Sequence, residues 1–411
     1  MTSAPPPTEI PSTSEPSAAQ AIMDLERQYV LQNYARYPLV LARGKGCHLY
    51  DPEGRRYLDF ITGIGVNALG HAHPRIVKVL REQAGLLIHS SNLYYHHYQG
   101  PLAKRLAEIS GLARTFFCNS GTEAIEGALK MAKAHGRAIN PEKYEIVALE
   151  NSFHGRSLGA LSITGSPKYR QDFEPLIPGV KFVAANDEAA LESAISGRTA
   201  AVVLEMIQGE GGIYPITASF ARKARELASL YHALLIADET QCGVGRPGTY
   251  FAYQRTSPVI LPDVMVAAKP VACGLPLGFI VANEEAAAAI KPGMHGSTFG
   301  GGPLACRVAL EFLDVLDELL PSIQRVGGYF HLKLNELARK HGFVREVRGF
   351  GLMLGMELDV PGKQIVLDAI AEGLLINCTH ETVLRFLPPY IATEKEVDQA
   401  VKILAKLFAK R

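Results

Sequence analysis

The sequence predicts an α/β fold in which helices cover both faces of a largely parallel sheet. Between Leu102 and Ala282, short apolar runs alternate with longer segments of helical periodicity, which is the pattern of such a sheet. A length of 411 residues and a hydrophobic content of 47% allow a large core. Because 42 basic and 41 acidic side chains leave a net charge of +1, no strong field draws the chain to nucleic acid or an anionic membrane.

The first 20 residues differ in composition from the rest. They are rich in Pro, Ser, Thr and Ala and contain no Lys or Arg. Such a segment buries too little apolar surface to offset the entropy of ordering, so we predict a disordered tail at residues 1–20. It has the pattern of neither a secretory signal nor a mitochondrial transit peptide. The six cysteines lack paired spacing, which indicates reduced thiols in a cytoplasmic protein.

Seven short apolar runs are predicted to be the strands of the sheet. They are residues 115–118, 145–149, 181–184, 200–204, 234–237, 264–268 and 279–282. Helices are predicted between them, as where Ala221, Ala224 and Leu227 share one helical face. No apolar run reaches the roughly 20 residues that a spanning helix requires, so we expect no membrane partner.

Two of the predicted strands end in residues that could carry chemistry. The run at 234–237 is followed by Asp238, and the run at 264–268 is followed by Lys269. Because ligands bind at the carboxyl ends of strands in open α/β sheets, the acid and the amine are expected to face one crevice. Taken alone, these ends are equally consistent with a structural ion pair or with two solvated loop residues.

A third strand end is suited to a phosphate. The run at 115–118 leads into Ser120, Gly121 and Thr122 at the start of a helical segment, where N–H groups, hydroxyls and a positive dipole end meet. The same residues could simply cap the helix. A phosphate cradle, an acid and an amine together match a cofactor with a phosphate, a basic ring nitrogen and an aldehyde, and pyridoxal 5′-phosphate is that molecule.

Eight short motifs follow one another along the chain. They are ARGKG at 42–46, NALGHAHP at 67–74, NSGTEA at 119–124, FHGR at 153–156, QGEGG at 208–212, DETQCG at 238–243, STFGG at 297–301 and LRFLPP at 384–389. In this order, from about residue 34 to 407, they resemble the class III aminotransferases, and most closely those that act on acetylornithine.

The resemblance implies the fold type I architecture of pyridoxal-phosphate transferases, with a large, mostly parallel-sheet domain and a smaller α/β domain. We therefore expect a large cofactor-binding domain at residues 75–305. The small domain is expected to combine an N-terminal part, residues 21–74, with a C-terminal part, residues 306–411.

The resemblance also implies the contacts of the cofactor ring. Lys269 would be the catalytic residue, holding the cofactor as an imine and later moving the proton at the substrate carbon. Asp238 would pair with the ring nitrogen, Gln241 would bond the phenolic oxygen, and Phe153 would stack on the ring.

The phosphate is expected to lie on Ser120, Gly121 and Thr122. Thr298 resembles the threonine that reaches the phosphate bound in the neighbouring subunit. The resemblance therefore implies a homodimer with shared active sites.

Five residues are assigned to the substrate by the same resemblance. Arg156 would clamp a carboxylate with its bidentate guanidinium fork. Glu210 and Arg385 resemble a switching pair, in which the glutamate neutralises the arginine for one substrate and releases it for the dicarboxylate 2-oxoglutarate. Ser297 and Tyr34 complete the set.

Two further positions, Ile64 and Pro270, bear on these expectations. Ile64 stands where ornithine δ-aminotransferases carry a tyrosine, which favours an acylated substrate, although 4-aminobutyrate enzymes share the isoleucine. Pro270 follows Lys269 where glycine is usual, and a proline disfavours helical geometry in the preceding residue.

The expected reaction is a ping-pong transfer of the δ-amino group of N2-acetyl-L-ornithine to 2-oxoglutarate, in arginine biosynthesis. The alternative is another ω-aminotransferase, acting on ornithine, 4-aminobutyrate, succinyl-diaminopimelate or an acylated lysine. A cofactor-binding regulatory protein without turnover is a further alternative, against which the intact Lys269, Asp238 and Arg156 argue.

Two other patterns are expected to carry no chemistry. Residues 243–248 match the fingerprint Gly-x-Gly-x-x-Gly, but a proline and an aromatic run indicate a loop where a nicotinamide site needs a helix start. His71, His73, His96 and His97 lack nearby Cys, Asp or Glu at ligand spacing, so we expect no metal.

Overall fold

The computed structural model describes residues 18–411. Residues 1–17 of the predicted tail lie outside the described residues. The first helix begins at Ala18, so residues 18–20, predicted to belong to the disordered tail, are helical instead.

The helices and strands of the described chain alternate along most of its length. The α-helices are α1 (Ala18–Tyr29), α2 (Thr62–Gly65), α3 (Pro74–Ala84), α4 (Gln99–Ser110), α5 (Gly121–Ile139), α6 (Leu158–Ser162), α7 (Pro167–Arg170), α8 (Glu188–Ala194), α9 (Ala218–Leu230), α10 (Glu284–Ala288), α11 (Pro303–Ala338), α12 (Lys363–Ala371) and α13 (Glu394–Phe408). The strands are β1 (Arg43–Lys45), β2 (His48–Tyr50), β3 (Arg56–Asp59), β4 (Arg114–Cys118), β5 (Glu145–Leu149), β6 (Val180–Val183), β7 (Thr199–Leu204), β8 (Ile207–Gln208), β9 (Tyr214–Pro215), β10 (Leu234–Asp238), β11 (Val264–Ala267), β12 (Gly278–Ala282), β13 (Val344–Phe350), β14 (Met353–Leu358), β15 (Leu374–Leu375), β16 (Asn377–Thr379) and β17 (Val383–Phe386).

A seven-stranded sheet forms the centre of the fold, in the order β4-β12-β11-β10-β7-β5-β6. Its strands are the seven predicted from the sequence, and each boundary agrees to within one residue. Strand β12 runs antiparallel to both of its neighbours, whereas the other adjacent pairs are parallel. The predicted α/β class with a largely parallel sheet is therefore confirmed.

Both faces of this sheet are buried. In β7, Val202 and Leu204 pack into the core on one face, while Ala201 and Val203 pack into the core on the other. This is why the strands are continuous apolar runs without polar alternation.

Long helices cover the two faces. Helix α5 packs Ala124 and Leu129 into the core on one face, and α9 packs Ala224 and Leu227 into the core on the other. Ser120 caps α5 by accepting a hydrogen bond from the backbone N–H of Glu123 at 3.3 Å. The cap fixes the start of α5 at the carboxyl end of β4.

Residues from both ends of the described chain share a smaller sheet. Strand β15 pairs parallel with β3, so that Leu374 lies opposite Leu58. A further four-stranded sheet has the order β13-β14-β17-β16 and carries Arg385 on β17, opposite Gly355 and Asn377. The domain boundaries at residues 74 and 305 stay predictions, and α11 runs across the second of them. Among residues 18–411, no helix combines the length and apolar character needed to cross a bilayer.

Candidate active site

A cavity of about 440 Å³ opens at the carboxyl ends of β4, β7, β10 and β11. This is the edge at which ligands bind in open α/β sheets. The predicted site residues that line it are Ser120, Gly121, Thr122, Phe153, Arg156, Asp238, Gln241 and Lys269. The three strand ends that the sequence picked out therefore do meet at one crevice.

Asp238, the last residue of β10, is almost fully buried and is held by two donors. Its Oδ2 lies 2.7 Å from Nδ1 of His154, and its Oδ1 accepts a hydrogen bond from the backbone N–H of Thr240 at 3.0 Å. Burial lowers the pKa of His154, but the hydrogen bond and charge of Asp238 outweigh that effect and raise it overall. The carboxylate is thus fixed in orientation beside the imidazole ring of His154.

Lys269 begins a short 3-10 turn, Lys269–Ala272, just after β11. Its φ of 45° lies in the left-handed region, where a non-glycine residue is strained. Burial lowers the pKa of the amine and outweighs the charge of Glu210, which raises it. A lowered pKa increases the fraction of free amine, the form that acts as a nucleophile or a base.

The predicted phosphate loop is closely packed around Gly121. A Cβ added at Gly121 would lie 2.5 Å from Cγ2 of Thr240, so any larger residue would force the loop or that threonine to move. The hydroxyl of Thr122 lies 2.7 Å from that of Ser157. Thr240 Oγ1 is buried and has no hydrogen-bond partner among the described residues. Backbone N–H groups and hydroxyls at the start of α5 suit this end of the cavity to an anion.

Arg385 lies in a buried network next to the cavity. Its Nη1 donates to Oε1 of Glu210 at 2.6 Å and to Oε1 of Gln241 at 2.9 Å, and its Nε donates to Oδ1 of Asn377 at 3.1 Å. Burial would raise the pKa of Glu210, but the charge of Arg385 outweighs it and holds that pKa below its usual value. The two residues predicted as a switching pair are therefore in direct contact as an ion pair.

A second cavity, of about 560 Å³, is lined by Glu210. Tyr169 also lines it, and the guanidinium of Arg156, which lines the first cavity, lies 4.2 Å from the centre of that tyrosine ring. Arg156 thus lines one cavity and contacts a residue that lines the other.

Five predicted site residues do not line the main cavity of their own chain: Glu210 and Arg385, which lie beside it, and Tyr34, Ser297 and Thr298. Tyr34 is 69% exposed and lies in the irregular segment that follows α1. Together with residues of α1 it lines a separate cavity. Ser297 Oγ accepts hydrogen bonds from Asn119 Nδ2 at 3.2 Å and from the N–H of Gly300 at 3.0 Å. Thr298 is exposed. Their roles, including that of Thr298 in a neighbouring subunit, stay predictions.

Glu205 is a cavity residue that the sequence patterns above do not single out. It follows β7 directly, and its two carboxylate oxygens accept the N–H groups of Phe153 at 3.0 Å and Gly209 at 3.2 Å. Burial raises its pKa to about 7. The signal that identified Asp238, an acid at the end of a predicted strand, would have found it too.

Comparison with known proteins places this geometry in a family. Residues 29–408 match the family model described as aminotransferase class-III. An acetylornithine aminotransferase from Methanocaldococcus jannaschii is 46% identical over 389 residues, which cover 94% of this chain and 97% of that relative.

Solved structures share the fold over nearly the full length. The ornithine aminotransferase from Toxoplasma gondii ME49 has a TM-score of 0.92 at 33% identity and covers 96% of both chains. The acetylornithine aminotransferase from Elizabethkingia anophelis has a TM-score of 0.85 at 31% identity, covering 96% of this chain and 99% of that one. The architecture is therefore the α/β fold type I of pyridoxal-phosphate enzymes. Since the family model spans almost the whole chain and the cavity carries the family's motifs, the chain belongs to the class III aminotransferases.

Proposed function

We propose that this chain moves the δ-amino group of N2-acetyl-L-ornithine to 2-oxoglutarate, as a pyridoxal-phosphate-dependent aminotransferase of arginine biosynthesis. The observation that carries the proposal is the 2.6 Å contact between Arg385 and Glu210 beside the cavity that contains Lys269. Relatives named acetylornithine aminotransferase, 46% and 45% identical to this chain, support the choice of substrate.

The residues around the cavity fit pyridoxal phosphate. Two buried atoms that line it, His154 Nε2 and Thr240 Oγ1, have no hydrogen-bond partner within residues 18–411. Asp238 would hold the ring nitrogen, the start of α5 would hold the phosphate, and the Lys269 amine would hold the aldehyde carbon. When bound, the cofactor supplies an electron sink for the negative charge that develops on the substrate carbon.

The chain's own residues would bind the substrate carboxylates and transfer the proton of the substrate carbon. The Lys269 amine would take the proton from the substrate carbon and return it, a role that its lowered pKa favours. Arg156 would bind the carboxylate of acetylornithine while Glu210 keeps Arg385 neutralised. For 2-oxoglutarate, Arg385 would leave Glu210 and bind the second carboxylate. One pocket could then accept a substrate with one carboxylate and a substrate with two.

A homodimer in the cytoplasm is part of the proposal. Large apolar side chains are exposed around one segment, with Leu93 84% exposed and Phe299, next to Thr298, 69% exposed. Exposed apolar surface of this kind favours an interface, and Thr298 would there reach the phosphate of the second subunit. The six unpaired cysteines are consistent with a reducing compartment.

Free ornithine is a second candidate donor. It is favoured by the TM-score of 0.92 to the ornithine aminotransferase from Toxoplasma gondii. Ile64 argues against it, since the resemblance expects a tyrosine there in enzymes for free ornithine.

The test is a half-reaction screen with the cofactor-loaded protein. Acetylornithine, ornithine, 4-aminobutyrate and succinyl-diaminopimelate are added separately, without 2-oxoglutarate, and loss of the visible band of the lysine-bound cofactor is followed. Acetylornithine is expected to give the highest kcat/KM, and Lys269→Ala is expected to lack the band. A band that survives in Lys269→Ala contradicts the role of the lysine, and faster conversion by another donor contradicts the substrate.

A further inference from the structure

Arg246 is a fully buried arginine outside the catalytic cavity. Within residues 18–411 no carboxylate bonds its guanidinium, and its Nε and Nη2 have no hydrogen-bond partner. Its Nη1 donates to the carbonyl oxygens of Leu352, at 3.1 Å, and Pro388. Because an unpaired buried charge is costly, these contacts to a distant part of the chain call for an explanation.

Residues of the C-terminal part of the chain also contact Arg246 and its neighbours. The guanidinium carbon lies 4.5 Å from the centre of the Tyr390 ring, and the hydroxyl of Tyr390 donates to the carbonyl of Val244 at 2.8 Å. The N–H of Leu352 donates to the carbonyl of Arg246 at 2.9 Å. Hydrogen bonds therefore run in both directions between the loop 243–248 and the C-terminal segments.

The same two parts of the chain carry two of the proposed site residues. Arg246 lies five residues after Gln241, and Pro388 lies three residues after Arg385. Gln241 and Arg385 are themselves joined by a hydrogen bond of 2.9 Å. The contacts of Arg246 thus join the two segments whose side chains, Gln241 and Arg385, meet beside the cavity.

We propose that Arg246 and Tyr390 are positioning residues that hold Arg385 beside Gln241, so that its guanidinium keeps its place next to the cavity after it has left Glu210 for a dicarboxylate. This inference rests on the proposed function. Once the 2.6 Å contact to Glu210 is broken, side-chain contacts to Gln241 and Asn377 remain. A misplacement of about 1 Å can then cost a large factor in binding or rate, so the bracing matters most for 2-oxoglutarate.

Tyr390→Phe tests the proposal with a minimal change, because it removes one hydroxyl and keeps the ring. Tyr253→Phe is the matched control: its buried hydroxyl donates to the carbonyl of Ser110 at 2.7 Å, away from this junction. Both variants are expected to lose a similar amount of thermal stability. Only Tyr390→Phe is expected to raise the KM for 2-oxoglutarate, by about three- to tenfold, the equivalent of one hydrogen bond. The half-reaction with acetylornithine should stay within about twofold of the parent.

Two further measurements separate positioning from a general structural role. In an Arg385→Lys background, Tyr390→Phe should no longer change the KM for 2-oxoglutarate, and Arg246→Lys should reproduce the selective effect in the parent background. Equal changes in both half-reactions, or an unchanged KM in Tyr390→Phe, would overturn the proposal.

A binding measurement keeps this inference distinct from the proposed function. The dissociation constant of glutarate, a dicarboxylate that cannot react, is measured with the cofactor-loaded parent and with Tyr390→Phe. If the parent fails to use acetylornithine and 2-oxoglutarate, the proposed function is wrong, yet weaker glutarate binding in Tyr390→Phe still supports the bracing of Arg385. Equal glutarate binding in both proteins refutes it.

Discussion

His154 and Asp238 form a buried pair in which Nδ1 of the imidazole lies 2.7 Å from Oδ2 of the carboxylate. The pair joins two segments that are 84 residues apart in sequence. Since the other carboxylate oxygen accepts the N–H of Thr240, Asp238 has one fixed orientation toward the cavity. A carboxylate held in this way can keep a ring nitrogen protonated without first reorganising.

Replacing His154 tests this orientation. His154→Ala removes a hydrogen bond to a charged group and is expected to lower kcat roughly 10- to 100-fold, with weaker retention of the cofactor. His154→Asn places an amide donor near the position of Nδ1 and should recover most of the loss. The measurements are steady-state kcat and the dissociation constant of the cofactor. Equal losses in both variants would show that the imidazole is needed for more than orientation.

Replacing Glu210 tests the switching pair. Glu210→Gln removes the negative charge opposite Arg385, so the guanidinium stays available to a second carboxylate. The kcat/KM for acetylornithine is expected to fall about tenfold, while the KM for 2-oxoglutarate stays level or falls. Glu311→Gln is a control, because it weakens contacts to Arg75 and Arg307 outside the cavity. A parallel loss for both substrates would contradict a switch.

Glu205 gives a prediction for the pH dependence of stability. Its pKa is raised from an ordinary value of 4.5 to about 7 by burial. Between these pH values the folded protein keeps the proton and the unfolded chain has lost it, so this group makes the free energy of unfolding fall as the pH rises. Glu205→Gln is expected to flatten that fall, measured by urea unfolding at steps from pH 5 to pH 8.

Glu239 provides the control for this experiment. Burial raises its pKa to about 7 as well, but it bonds the backbone of Ala252 and Tyr253 and does not line the cavity. Glu239→Gln should flatten the profile similarly, whereas only Glu205→Gln should also alter turnover, because Glu205 holds Phe153 and Gly209. A profile unchanged by Glu205→Gln would contradict the raised pKa.

The strands and their ends could be predicted from the sequence because both have local signals. A strand buried on both faces is a continuous apolar run, and Asp238 and Lys269 stand immediately after such runs. The bond from His154 to Asp238 could not be predicted, since no local pattern reports a contact across 84 residues. The proposed role of Arg246 could not be predicted either. Its sequence motif resembles a nucleotide-binding loop, and its contacts are to carbonyl groups more than 100 residues away.

The tight packing at Gly121 leads to a prediction about cofactor binding. In Gly121→Ala, the new Cβ would lie 2.5 Å from Thr240 Cγ2 and 3.0 Å from its Oγ1, so the loop or the threonine must move. Displacement of the phosphate loop is expected to weaken cofactor binding about tenfold, the equivalent of roughly one to two hydrogen bonds. Thr240→Ser removes the clashing methyl group, so the double variant Gly121→Ala, Thr240→Ser should recover part of the affinity. The measurement is the dissociation constant of pyridoxal phosphate, obtained by titration of the cofactor-free protein. If the double variant binds the cofactor no better than Gly121→Ala does, the contact with Thr240 is not the reason that this position requires glycine.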